Sequence, residues 1–165
     1  MESPERENHD FSVPSVAKFN MKGTLAMSQV CIKWIEGRQF VGIDSTRHSV
    51  VMSTIGPDGG IGMKPSELLL VALGGCTAVD VIGILEKKQQ KVTGLDIYVQ
   101  GEQDADPPWT FRKIHVEYVV RGRGMSEKAV TQAIELSEGK YCSVSATVAG
   151  TAEITSSFRI VEEED

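Results

Sequence analysis

The stretch that follows Pro65 constrains the fold more than any other part of the chain. From residue 68 to residue 75 every position is apolar or glycine, so a helix built from it has no polar face to offer to water. Pro65 suits the first turn of such a helix, because its fixed φ and missing N–H cost nothing there. Leu69, Leu73, Cys76, Val79, Gly83 and Ile84 recur at helical spacing, and the polar residues 86–91 return the chain to solvent. A helix that is apolar nearly all round must be covered on most sides, by the rest of the fold or by a second subunit. The uninterrupted run 68–77 is too short for a bilayer, which predicts a core helix and no membrane partner. Asp80 breaks the pattern one turn beyond Cys76, and a carboxylate there needs a partner or water.

The flanking segments read as strands around this helix. Residues 24–37 alternate imperfectly through Ala26, Val30, Ile32 and Trp34, and residues 40–43 and 48–53 make two further short strands separated by a turn at 44–47. A glycine-rich loop at 56–62 precedes the helix, without the spacing of a nucleotide-binding loop. A strand at 95–100 is followed by an irregular stretch at 104–108. Residues 111–120 then alternate well, with Ile114, Val116, Tyr118 and Val120 inward and Lys113, His115 and Glu117 outward. A second helix is expected over 126–136, ended by Gly139, and Ile154, Ser156, Phe158 and Ile160 mark a final strand. Residues 143–147 fit helix or strand. Strand, long helix, strands, helix and strand make an α+β domain. The expected organisation is a flexible tail at 1–18, one domain at 19–162 and a short C-terminal tail at 163–165.

Charge and cysteine count narrow the function classes. The formal net charge is -6, from 17 basic and 23 acidic side chains. That balance argues against a nucleic-acid backbone as partner, since phosphate contacts need clustered cations. The opening residues carry Glu2, Glu5, Glu7 and Asp10 and little apolar content, unlike a signal or transit peptide, and cytoplasmic residence is the expectation. Three widely spaced cysteines exclude a self-contained disulfide framework. They also lack the ligand spacing of a zinc site, and no haem, flavin, nucleotide or metal has a sequence signature.

The segment Lys64-Pro65-Ser66-Glu67-Leu68-Leu69-Leu70-Val71-Ala72-Leu73-Gly74-Gly75-Cys76-Thr77 resembles the central helix of the OsmC/Ohr superfamily. A second segment, Leu136-Ser137-Glu138-Gly139-Lys140-Tyr141-Cys142-Ser143-Val144, resembles that superfamily's second signature. The Gly-Gly-Cys-Thr form is similar to the OsmC-like branch. The resemblance implies an α+β fold with antiparallel or mixed sheets enclosing a long central helix, and an intertwined homodimer whose reactive site uses both subunits. It also implies thiol-dependent reduction of organic hydroperoxides, with hydrogen peroxide as a further substrate. Cys76 would attack the peroxide and Cys142 would resolve the sulfenic acid as an intramolecular disulfide, which a dithiol or low-molecular-weight thiol then reduces. No cofactor is required.

The resemblance further implies an arginine and a glutamate that activate the first thiol. Ser66 stands where that glutamate is expected, and Glu67 follows it; a one-residue shift turns a helical side chain through about 100°. Glu67 and Arg38 are the candidates for these roles, with Arg47 second to Arg38, and Asp80 could orient one of the arginines. Trp34, Trp109, Phe111 and Tyr141 could line an apolar pocket near Cys76. Cys31 matches no role, and His115 looks solvent-side. The alternative from another class is a non-enzymatic OsmC-like protein, ligand-binding or structural, with a regulatory disulfide.

Overall fold

The long helix packs on one of two small sheets in a computed structural model that describes residues 28–54 and 60–164. The expected tail at 1–18, the start of the first expected strand and most of the glycine-rich loop lie outside those residues. The described elements run β1 (Cys31–Glu36), β2 (Gln39–Ile43), β3 (Ser49–Ser53), α1 (Pro65–Lys87), β4 (Lys91–Gln103), β5 (Phe111–Arg123), α2 (Glu127–Leu136), a π-helical turn (Ser137–Tyr141), α3 (Ser143–Val148) and β6 (Glu153–Glu162).

The first sheet is an antiparallel meander, β1-β2-β3, with Trp34 opposite Phe40 and Val41 opposite Val51. Gly42 leaves room for the methyl end of Met52, which would lie 3.1 Å from a β-carbon there. The second sheet, β4-β5-β6, is mixed: β4 and β5 are antiparallel, β5 and β6 parallel. A parallel pair needs a crossover, and α2, the π turn and α3 supply it.

The core lies between the second sheet and the helices. Ile114, Val116, Tyr118 and Val120 of β5 meet Leu73, Val81 and Leu85 of α1 and Val130, Ala133 and Ile134 of α2. The inward register of β5 is the one its alternation predicts. Gly74 lets α1 approach β4 closely, since a β-carbon at that position would stand 3.0 Å from Val99 Cγ2. Ser126 caps α2, its hydroxyl accepting the Ala129 amide.

Two expectations are corrected here. The buried face of α1 is Leu73, Gly74, Thr77, Val81 and Leu85, whereas Leu69 and Val79 are exposed. An all-round apolar sequence contains several stripes of helical period, and the small residues Gly74 and Thr77 select the one that can press against the sheet. Gly139 does not end the second helix: the chain continues through it as the π turn, closed by the bond from Cys142 N–H to the Ser137 carbonyl at 2.8 Å. The ambiguous segment after Cys142 is helical.

The apolar stretch also forms a longer helix than the run 68–77 suggests. α1 has 23 residues and is long and apolar enough, by length and composition, to cross a membrane. One face is occupied by β4 and α2, and the buried positions are confined to that face.

No residue of β1, β2 or β3 belongs to that core. Ile32, Trp34 and Ile35 of β1 are exposed, Trp34 by 66%, and so is Val79 of α1 by 75%. Within one chain the first sheet and the outer flank of α1 therefore leave apolar surface uncovered.

Candidate thiol site

Cys76 and Cys142 are brought together by α1 and by the junction between the π turn and α3. Cys76 lies mid-helix and is half-buried, and Cys142 is buried, with 2% of its surface accessible. The two thiols are near enough for Cys76 to perturb the ionisation of Cys142, and no disulfide joins them. Cys142 also caps α3: its sulfur accepts the Ser145 amide at 3.2 Å. Burial pushes the Cys142 thiol up to about 11 from 9.0, the contact with Cys76 adds to that, and the Ser145 amide opposes it. A thiol so placed stays protonated at neutral pH, while its neighbour on α1 is open to solvent on one side.

A group of polar side chains supports this pair. Ser137, fully buried, donates its hydroxyl to Asp80 Oδ2 at 3.1 Å. Asp80 thus has a serine partner rather than the arginine anticipated for it. Tyr118, also fully buried, donates to Glu138 Oε1 at 3.0 Å, and Ser156 donates to Glu138 Oε2 at 3.1 Å. The Tyr118 phenol contacts the Thr77 hydroxyl, and its pKa is raised, first by burial, against the Thr77 bond and with the Glu138 carboxylate adding to the rise. Thr77 itself donates back to the carbonyls of Leu73 and Gly74 at 3.2 and 3.0 Å. Among the described residues no buried side-chain polar atom lacks a partner.

The other candidates sit elsewhere in the chain. Glu67 is exposed in the first turn of α1, paired with Lys64 at 2.9 Å. It is nine residues before Cys76, about 13 Å along a helix axis. Arg38 is exposed in the β1–β2 turn, on the sheet that stands outside the core, and Arg47 is exposed in the β2–β3 turn. Neither arginine nor Glu67 meets a thiol of its own chain through a described hydrogen bond. His115 bonds Thr155 and Ser157 across the β5–β6 pair, both at 2.9 Å, on the face away from the core. Cys31 is exposed.

The aromatic residues divide likewise. Trp109 and Phe111 join Ser66, Leu69, Thr147 and Val148 around an open cleft of about 390 Å³ at the start of α1. Trp34 and Tyr141 are not among its lining residues, and neither cysteine is. Leu69 precedes Cys76 by seven residues, so the cleft lies about 10 Å along the helix from that thiol. Among the described residues no group of three or more His, Cys, Asp or Glu side chains is placed to hold a metal.

Sequence reasoning missed Ser137, Tyr118, Glu138 and Thr77 as parts of this site. Tyr118 carried a signal, because a phenol at an inward strand position among aliphatic neighbours needs a buried partner for its hydroxyl. Ser137 and Glu138 carried none beyond their place in the second motif.

Residues 56–157 match the family model described as "OsmC-like protein". Protein YhfA of Escherichia coli strain K12 is 35% identical over 133 residues, which cover 81% of this chain and 98% of that protein. A hypothetical protein from Aquifex aeolicus VF5 superposes with a TM-score of 0.76 at 32% identity, over 85% of this chain and all of that one. The organic hydroperoxide resistance protein OhrB of Bacillus subtilis shares the fold at a TM-score of 0.56 and 14% identity, over 82% of this chain and 100% of that chain. With its central helix, its two cysteine-bearing segments and these similarities, the chain belongs to the OsmC-like protein family.

Proposed function

We propose that this protein reduces organic hydroperoxides, and hydrogen peroxide as a lesser substrate, through Cys76 and Cys142. The observation that carries the reading is the proximity of two unbridged thiols of unequal burial. The half-exposed Cys76 attacks as thiolate at the terminal peroxide oxygen. The O–O bond breaks, the alkoxide leaves and takes a proton to become the alcohol, and Cys76 becomes a sulfenic acid. Cys142 then attacks the Cys76 sulfur: the S–S bond forms, the S–O bond breaks, and the Cys142 proton leaves with the hydroxyl as water. A dithiol or low-molecular-weight thiol restores both cysteines by exchange, and no cofactor takes part.

The proposed working unit is a cytoplasmic homodimer. Its support is the apolar surface that one chain leaves on β1 and on the outer flank of α1. In the proposed dimer a second copy supplies a cation beside Cys76, and Arg38 is assigned that role because it stands in a turn of the sheet that contributes nothing to its own core. Glu67 is assigned to orient that arginine from the start of α1.

A second reading, a ligand-binding protein without turnover, draws on the cleft between Trp109, Phe111 and Leu69, which does not include the thiols. The test is reductant-coupled consumption of cumene hydroperoxide and hydrogen peroxide by the purified protein. Turnover lost in Cys76→Ala, with a trappable Cys76 sulfenic acid accumulating in Cys142→Ala, supports the thiol cycle. Absence of cysteine-dependent turnover with either oxidant across several thiol donors removes it in favour of the second reading.

A further inference from the structure

Asp80 follows Cys76 by four residues on α1, so the two side chains share a flank of the helix. Its carboxylate accepts the Ser137 hydroxyl at 3.1 Å, and the Ser137 carbonyl accepts the Cys142 amide at 2.8 Å. A continuous path of hydrogen bonds therefore joins the helix that carries the first thiol to the backbone of the second without involving either sulfur. Glu138, the next residue, is bound to Tyr118 and Ser156 on the sheet side. The π turn is thus anchored to the sheet through Glu138 and to α1 through Ser137.

We infer that Asp80 is a positioning residue for the thiol pair: by holding Ser137 it seats the π turn on α1 and keeps the Cys142 sulfur within bonding reach of the Cys76 sulfur. The inference rests on reading the two cysteines as a redox pair and adds to that reading a residue fifty-seven positions from its partner. Disulfide geometry tolerates only a narrow range of Cα separations, about 4.4–6.8 Å. Single π turns inside helices are uncommon and do not persist on propensity alone, so this one depends on bonds from outside. Without the Asp80 acceptor, Ser137 has lost its tie to α1 and the buried hydroxyl has lost its partner, and the turn is free to shift relative to Cys76.

The experiment is a thiol–disulfide equilibrium and needs no peroxide. In a Cys31→Ser background, the full chain is equilibrated with defined ratios of glutathione and glutathione disulfide. The Cys76 thiolate attacks the S–S bond of glutathione disulfide and releases one glutathione thiolate. The Cys142 sulfur, giving its proton to solvent, displaces the second glutathione and closes the protein disulfide. Two electrons pass from the two protein thiols to the glutathione disulfide, and quenched samples are read by mass after alkylation. Asp80→Ala and Ser137→Ala each lower the equilibrium constant for the protein disulfide about tenfold, a rise of about 30 mV in its reduction potential. Asp80→Asn, whose side-chain carbonyl still accepts from Ser137, stays within about threefold of the parent by retaining that bond.

An unchanged constant in Asp80→Ala overturns the inference, and so does a loss of equal size in Asp80→Asn, which would make charge rather than the hydrogen bond the active element. Ser137→Ala, a smaller excision, decides the matter on the same criterion where Asp80→Ala does not fold. A parent protein that forms no Cys76–Cys142 disulfide at any glutathione ratio refutes the redox pair itself, and the inference falls with it. A parent that forms the disulfide but consumes no peroxide refutes only the peroxidase activity.

Discussion

Removing Cys31 and Cys76 together, as Cys31→Ser and Cys76→Ala, leaves Cys142 as the sole thiol of a chain that has three cysteines. Burial, the largest cause of its displaced ionisation, persists in that variant, whereas the contact with Cys76 is gone. The native value of about 11 against 9.0 includes the Cys76 contribution, so about one in a thousand is the lower bound on the variant's thiolate fraction at pH 8, against about one in ten for an unperturbed group. Iodoacetamide reacts with the thiolate, so alkylation at pH 8 should run slower, by up to about a hundredfold, than in the same protein unfolded in urea. Restricted access would slow the reaction as well, but it lowers the plateau of the rate profile without moving its midpoint. The discriminating quantity is therefore the midpoint of rate against pH, expected above 9.0. A midpoint at or below 9.0 would refute the claim that burial holds Cys142 as a thiol.

The same displacement predicts a stability change in the native protein. A folded-state pKa above the unfolded value means that the folded form keeps its proton while the unfolded chain loses it. The contribution is fully present below pH 9 and is lost as pH rises from 9 to about 11. Two units correspond to at most about 3 kcal/mol. Urea midpoints should fall across that window in the parent and hold steadier in Cys142→Ala.

Oligomeric state and the buried phenol give two further tests. Sedimentation equilibrium should give twice the 18.0 kDa chain mass, and Trp34→Asp or Val79→Asp, each placing a charge on an exposed apolar site, should shift the protein to monomer; monomeric parent protein would refute the homodimer. Tyr118→Phe removes the donor to Glu138 and should cost about 1–2 kcal/mol by urea unfolding, and an unchanged midpoint would mean that the Glu138 bond contributes nothing net.

What could be read in the sequence follows from the range of the interactions. Pro65, the alternation around Ile114 and Val116, and Ser126 before α2 are local signals, and each element begins or faces as those residues imply. The face of α1 was not legible, because a segment without polar residues from 68 to 75 marks no stripe as inner. The length of β4 was underestimated because Thr93, Gly94 and Gly101 interrupt its pattern, yet pairing with β5 carries the strand across them. Gly139 reads as a helix stop on its own. The π turn through it depends on bonds from Ser137 and Glu138 to residues distant in sequence, which no local pattern encodes. The cysteines were legible by resemblance, while their supports Asp80–Ser137 and Tyr118–Glu138 are pairings of common polar residues whose partners only the fold selects.

The unequal burial of the two thiols bears on the order of the proposed cycle. A nucleophile for peroxide must be ionised and reachable, and Cys142 is neither: it is closed off from solvent and held protonated. Cys76 is therefore the only one of the pair that can act first. The proton that disqualifies Cys142 from the first step is useful in the second, because the sulfenic hydroxyl leaves more readily as water than as hydroxide. The supporting side chains are consistent with this division. Asp80, Ser137, Tyr118 and Glu138 bond to one another, to Ser156 or to Thr77 rather than to a sulfur, so they fix where the thiols stand without supplying positive charge to either. In the proposed cycle the activating cation lies outside this cluster, and the two turns that carry Arg38 and Arg47 belong to the sheet that contributes no residue to the core. In the proposed homodimer, association and activation are then a single event, and a variant that dissociates the subunits should lose the proposed peroxide turnover while keeping its Cys76–Cys142 disulfide equilibrium.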